Sequence, residues 1–179
     1  MENPAIIDLL KFPIGAFVKK NEYSADELHA LIEDTANAPA AYKKLAESMQ
    51  EKEFSKTYRP GSWNIQQLIH HVADIQLLHF LRMKRALTEP DYKEVTLINM
   101  DGWVSTQDGS HAPVEDSILM LEGITKRYVY LIKSLSDEQL QITYFHPVRA
   151  FDINQAQAIA MSAWHLKHHL AHIKLALQG

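Results

Sequence analysis

The sequence predicts an all-α fold: an antiparallel four-helix bundle with a long crossover between its second and third helices and a short hairpin before the fourth. Three observations carry this. Four segments repeat their apolar residues at helical spacing, each opened by a residue suited to start a helix. The stretch 89–113 between the second and third segments has no sustained period. At 179 residues with 46% hydrophobic content, the chain can bury one core without disulfides or structural staples, so 1–179 is expected to be a single domain.

Taken in order, Ser24-Ala25-Asp26-Glu27 forms a capping box, in which a hydroxyl and a carboxylate satisfy the first free amides of a helix. Apolar positions then recur at Leu28, Leu31, Ile32, Ala38, Tyr42, Leu45 and Met49. Pro39 falls inside that pattern and lacks the amide a helix interior needs. It predicts one long kinked helix or two pieces meeting there. Pro60-Gly61-Ser62 breaks the chain, and Asn64 caps a second helix carrying Ile65, Leu68, Val72, Ile75, Leu78 and Leu81 to about Thr88. Pro113, with Glu115 and Asp116 in the first turn, opens a third helix. Its buried stripe is Ile118, Leu121, Ile124, Tyr128 and Leu131. Residues 141–153 alternate weakly through Ile142, Tyr144, His146 and Val148, as a hairpin would. Asn154, with Gln157 three residues on, then caps a fourth helix running nearly to Gly179.

Composition narrows function by exclusion. A formal charge of −4 and the absence of any Lys/Arg run give no field for nucleic acid. No apolar run approaches the roughly 20 residues that span a bilayer. Met1-Glu2-Asn3-Pro4 lacks the basic start of a signal peptide, so the expected compartment is the cytoplasm. With no cysteine, a metal site here must use nitrogen and oxygen ligands.

Histidine is where the pattern turns chemical. Trp164-His165-Leu166-Lys167-His168-His169-Leu170-Ala171-His172 holds four of the ten histidines. With successive residues about 100° apart around the axis, His165, His168, His169 and His172 fall within one arc, shared with Ala158, Met161 and Ala176. That arc faces the bundle. On the second helix His71 is centred among Leu68, Ile75 and Leu78, whereas His70 is displaced by roughly 100° toward the edge. His71 is therefore the ligand candidate of that pair. Two i,i+4 pairs remain open on the fourth helix, His165/His169 and His168/His172.

A lone histidine on an apolar face is usually a hydrogen-bonded core residue. Several neutral imidazoles without partners would each cost about 1 kcal/mol or more, and a shared cation removes that cost. Three histidine ligands with no carboxylate leave a coordination position open, as catalytic sites do. Such an ion lowers the pKa of a bound water to roughly 7 or binds a substrate thiolate. Asp74, one turn from His71, reads as a base, as an orienting partner for an imidazole, or as an ordinary solvated carboxylate. Arg82, about three turns along the same face, reads as an anion contact or as a salt-bridged surface residue.

Several pieces occur in a telling order: Phe12-Pro13-Ile14-Gly15, Tyr58-Arg59-Pro60-Gly61-Ser62-Trp63, His70-His71-Val72-Ala73-Asp74, Arg82-Met83-Lys84 with Leu87-Thr88-Glu89, Tyr144-Phe145-His146-Pro147, and the histidine-rich segment through Ile173. From residue 12 to the end the chain resembles the YfiT branch of the DinB-like superfamily, described as metal-dependent hydrolases and bacillithiol transferases. The resemblance implies an antiparallel four-helix bundle binding Zn or Ni through His71, His165 and His169, and a homodimer. His70, His146, His168 and His172 then become supporting residues. Two segments depart from the family pattern, Ile75-Gln76-Leu77-Leu78 and Leu97-Ile98-Asn99-Met100-Asp101-Gly102. If they line the pocket, the substrate differs.

Three functions compete at this point. One is an enzyme that activates a low-molecular-weight thiol against a small electrophile. Another is a hydrolase with Asp74 as base. The third is a non-catalytic, metal-stabilised bundle that binds a small ligand, which a fourth protein ligand from His168 or His172 would favour.

Overall fold

The computed structural model describes residues 9–179, so the reading of Met1–Pro4 lies outside the described residues. Helix α1 (Ala25–Glu47) starts at Ser24, where the Glu27 amide donates to the serine hydroxyl and the Ser24 amide to the Glu27 carboxylate. Pro39 does not divide it; α1 runs as one helix through the proline. After a single 3₁₀ turn (Glu51–Glu53), α2 (Ile65–Thr88) begins at Asn64 with the same reciprocal cap to Gln67. Such a cap is worth about 1 kcal/mol.

The long crossover is not featureless. It contains two single-turn helices, α3 (Met100–Val104) capped by Asn99 and α4 (Gln107–His111) capped by Thr106. Next come α5 (Val114–Ile132), opened by Pro113, and a short α6 (Asp137–Leu140). The hairpin β1 (Thr143–His146) and β2 (Phe151–Asn154) pairs Thr143 with Asn154 and His146 with Phe151. Helix α7 (Gln155–Gln178) follows directly, capped by Asn154 and Gln157.

Helix α1 packs on α5 and α7, and α2 packs on the same two, so α1 and α2 sit diagonally across the bundle. Side-chain partners fix the directions. The Lys133–Glu33 ion pair, with Lys43, Thr125 and Lys126 lining one groove, sets α1 antiparallel to α5. Gln76 with Ser162, and His71 with His165, set α2 antiparallel to α7. The other two neighbours run parallel: Leu28 and Ile32 of α1 line one groove with Ala156 and Ile159 of α7 while Ala38 and Tyr42 cluster with Leu166 and Ile173, and α2 and α5 share Leu68 with Ile118 and Phe80 with Tyr128. In chain order the four long helices thus run up, down, down, up. Two successive helices pointing the same way need a link that travels back along the bundle, which is the work of residues 89–113.

Two apolar clusters fill the interior. Tyr42, Ile65, Leu68, Leu121, Leu166 and Ile173 centre one, and Met83, Tyr128, Ile132, Ile153 and Ile159 centre the other. Each large side chain buried there contributes about 1.5–3 kcal/mol. Between them the Gln76 side chain accepts a 2.9 Å bond from the Ser162 hydroxyl. Leu81 is not in the stripe expected of it; it is 49% exposed, on the same flank of α2 as Leu77, one turn earlier and 43% exposed. No helix among the described residues is long and apolar enough to cross a membrane.

Candidate metal centre

Antiparallel packing sets the first turns of α2 against the second half of α7. His71 enters this seam from α2, and His165 and His169, one turn apart, enter it from α7. The Nε2 atoms of His165 and His71 stand 3.2 Å apart. Ring centroids are separated by 5.2 Å (His71–His165), 4.9 Å (His71–His169) and 4.5 Å (His165–His169), with planes inclined at 58°, 81° and 69°. Each ring offers one nitrogen to a common region, all three within 4.8 Å of one another. On a tetrahedral ion at about 2.0–2.1 Å, two ligating nitrogens stand roughly 3.3 Å apart. The 3.2 Å between His71 and His165 matches that separation.

Burial keeps these rings neutral. It lowers His71 to about 4, helped by His168, and pushes His165 and His169 well below the ordinary histidine value, with neighbouring imidazoles adding to the effect. His165 is only half-buried by surface area, yet enough protein surrounds its ring to disfavour the cation. Neutral imidazoles keep their lone pairs for a metal at ordinary pH. The Nδ1 of His165 has no partner among the described residues.

His168, His169 and His172 form a second group of close nitrogens that shares His169. Hydrogen bonding separates their roles. His172 Nε2 meets the Lys11 carbonyl at 3.2 Å; a carbonyl only accepts, so that nitrogen carries the proton and His172 Nδ1 is bare. His169 Nδ1, 3.3 Å away, donates to it. The Nε2 of His169 is thereby left unprotonated, with its lone pair free. His172 is also held by stacking on Tyr58 (3.9 Å, 11°) and His168 by stacking on Trp164 (4.4 Å, 18°).

A strap of chain supports this side of α7. Besides the Lys11 carbonyl at His172, the Gly15 carbonyl accepts from Trp164 Nε1 (3.1 Å) and the Lys20 carbonyl from Gln157 Nε2 (2.8 Å). Gly15 turns the strap at φ +80°, a conformation costly for side-chain-bearing residues. The strap closes one wall of a cleft of about 320 Å³ lined by Tyr58, Arg59, Trp63, Asp101, His169 and His172. A larger groove of about 970 Å³ lies at the other end of the bundle, beside Asn154, Ile132 and Leu28, and contains none of the clustered histidines.

The other candidates separate clearly. His70 has both nitrogens engaged, Nδ1 with Ser117 Oγ (2.7 Å) and Nε2 with the Ala112 carbonyl (3.1 Å). It braces α2 against the start of α5. Asp74 is half-buried, and burial with the neighbouring Asp108 raises its carboxyl to about 6. The carboxylate on the histidine cleft is Asp101, which accepts from Trp63 Nε1 at 3.1 Å. Arg82 is buried rather than superficial, and one of its nitrogens donates to the Thr96 carbonyl at 2.8 Å. His146, at the end of β1, is buried and held near 4 by that burial and by Arg82 and Arg149. The sequence reading passed over His79, buried two turns beyond His71 with its ring 6.0 Å from His165. Its place beside Ile75 and Leu78 on the apolar stripe was the available signal.

A donor set of three imidazole nitrogens, with neither thiolate nor carboxylate in the group, suits Zn, Ni, Co or Cu. Comparisons with known proteins point the same way. The description of the DinB superfamily matches residues 34–173. A protein of Oceanobacillus iheyensis named "putative metal-dependent hydrolase" is 39% identical over 170 residues, spanning 95% of this chain and 96% of its own. One of the same description from Halalkalibacterium halodurans is 39% identical over 167 residues, spanning 93% and 96%. Among solved structures, YfiT from Bacillus subtilis, described as a "probable metal-dependent hydrolase with an unusual four-helix bundle topology", superimposes with TM-score 0.90 at 27% identity over 95% of this chain and 97% of its own. A mycothiol-dependent maleylpyruvate isomerase shares the fold at TM-score 0.65 and 15% identity, over 82% of this chain and 60% of that one.

Proposed function

The chain belongs to the DinB superfamily, on the branch of YfiT, and from that premise we propose that it is a metal-dependent enzyme whose His71, His165 and His169 hold a divalent ion, Zn or Ni. The observation that carries the proposal is the convergence of three neutral imidazole nitrogens from two helices. A divalent ion in that position supplies a Lewis acid, which polarises a substrate carbonyl or lowers the pKa of a water or thiol. The surrounding residues do the rest. His172 and the Lys11 carbonyl hold His169 in the ligating tautomer. Trp63, Tyr58 and Trp164 wall the imidazoles with aromatic surface and limit water around them.

Hydrolysis of a small electrophilic molecule is the first reading, as the names of the relatives suggest. Asp74 serves as its base: a carboxyl raised to about 6 accepts a proton near neutral pH more readily than an ordinary one. Transfer of a low-molecular-weight thiol is the second reading, favoured by the cationic surroundings of Arg82. A non-catalytic scaffold closed by His172 is disfavoured, because both nitrogens of that ring are engaged, by Lys11 and by His169; His168, whose Nδ1 has no partner among the described residues, is the remaining candidate for a fourth ligand. We read the whole chain as one domain and, by resemblance, as a homodimer.

Metal content of untagged protein, followed by turnover of a panel of esters, amides and thiol-reactive electrophiles, tests this. Near one ion per chain and turnover abolished by chelator are expected. Asp74→Asn should abolish hydrolysis while only weakening thiol transfer. Protein without metal, or turnover indifferent to chelator, overturns the reading.

A further inference from the structure

Beyond the histidines lies a group of cations without a counter-charge. Arg82 is buried 11 residues along α2 from His71, and its Nε has no partner among the described residues. His146, at the end of β1, is buried with Nδ1 likewise unpaired. Arg149 stands on the hairpin turn between the strands, its guanidinium 5.8 Å from the centre of the Phe17 ring. Its backbone is pinned there: the amides of Arg149 and Ala150 both donate to the His146 carbonyl (3.1 and 2.8 Å), and Ala150 adopts φ 55°, a left-handed conformation unusual for alanine.

Among the described residues, every salt bridge of the fold joins other side chains, and neither arginine has a carboxylate within reach. Backbone pairing brings them to one place: Arg82 donates to the Thr96 carbonyl (2.8 Å), and the adjacent Val95 amide donates to the Phe145 carbonyl (2.9 Å), which sets Arg82 against the end of β1 that carries His146 and leads into the Arg149 turn. His79, 6.0 Å from His165, links the cations to the ligand group. A buried guanidinium without a counter-charge is costly to the fold. A fold retains one where a ligand brings the opposite charge.

We propose that Arg82, Arg149 and His146 form an oxyanion-binding subsite beside the histidine centre, which holds the carboxylate or phosphate of a small-molecule substrate while its reactive end reaches His71, His165 and His169. In that subsite Arg82 offers its free Nε, Arg149 its guanidinium from the exposed turn, and His146 a ring N–H. This deepens the metal-enzyme reading and rests on it for the second half of the statement. Both guanidinium forks accept carboxylate and phosphate alike, so the source is a matter for the probe.

The test is isothermal titration of metal-loaded and of chelator-treated protein with succinate, inorganic phosphate and uncharged succinamide. At least one oxyanion should bind and succinamide should not. Arg149→Gln and Arg82→Gln should each weaken binding by about tenfold or more. Lys84→Gln, a surface cation elsewhere on α2, should leave binding unchanged. Arg149 sits on an exposed turn, so its variant keeps the fold even if Arg82→Gln fails to; circular dichroism checks both. Binding equal in wild type and Arg149→Gln, or no oxyanion binding at millimolar concentration, overturns the subsite. Arginine-dependent binding in a protein that takes up no metal would retain the subsite and remove the metal enzyme. A loaded metal with arginine-independent binding would do the reverse.

Discussion

Two neighbouring histidines on α2 face different regions, and their circumstances are opposite. On the side of α5, His70 finds a hydroxyl for one nitrogen and a carbonyl for the other. On the side of α7, the partner His71 finds among the described residues is the Nε2 of His165 at 3.2 Å. Both are buried, so both had to lose their water. The α5 side offsets that loss with a hydroxyl and a carbonyl; the α7 side offers His71 another imidazole. Burial of a polar ring does not distinguish structure from function, whereas the identity of its partner does.

The sharpest break of that comparison comes from truncating each histidine. His71→Ala or His169→Ala should take metal content from near one ion per chain to near none in elemental analysis of untagged protein. His70→Ala should leave metal content unchanged and lower unfolding free energy by about 2 kcal/mol, since it strands Ser117 and Ala112 and opens a cavity. Comparable metal loss in His70→Ala would erase the distinction between the faces. A smaller effect lies one residue out. His172→Phe keeps the stacking on Tyr58 but removes the acceptor for His169 Nδ1, and should weaken metal affinity by about 10–100-fold in competition with a chromophoric chelator. An unchanged affinity would show that the ring alone, not its tautomer, matters.

The smallest effect concerns Asp74, whose folded carboxyl ionises near 6 against 3.8 for the ordinary group. Between those values the folded chain holds more protons than the unfolded one, so stability falls as pH rises through the window and the full penalty stands above it. Asp74→Asn should therefore stabilise the chelator-treated protein by about 1 kcal/mol near pH 8, after allowance for solvent screening, and by nothing near pH 3.5. Urea unfolding at the two pH values checks it. Equal gains at both would mean that the carboxylate is not strained by its surroundings. With activity falling as stability rises, Asp74 would be a residue kept for chemistry.

Local chemistry was legible in the chain; long-range order was not. Asn64 with Gln67 and Asn154 with Gln157 start helices because a side-chain oxygen three residues before an amide is a short-range device. The facing of His71 followed from rotation about one axis. The two single-turn helices of the crossover were missed because five residues are too few to show a period, although Asn99 and Thr106 are cap residues. His70 is more buried than its angular offset suggested, since Ala112 and Ser117 cover that flank from another part of the chain. The diagonal placement of α1 and α2 depends on which apolar faces win across the whole bundle, and no single segment encodes it. Arg149 escaped notice for a related reason. Its partners meet only once the hairpin has paired with residues 93–95 of the crossover.

The strap that hands its Lys11 carbonyl to His172 puts the coordination chemistry within reach of events at the front of the chain. If the proposed ion is held there, a protease clipping between Lys11 and Gly15, or a fusion partner tugging on that stretch, would alter its retention without touching any of the three proposed donors. Biochemists preparing this protein would do well to carry the purification handle at the other end, and to choose one that contains no imidazole.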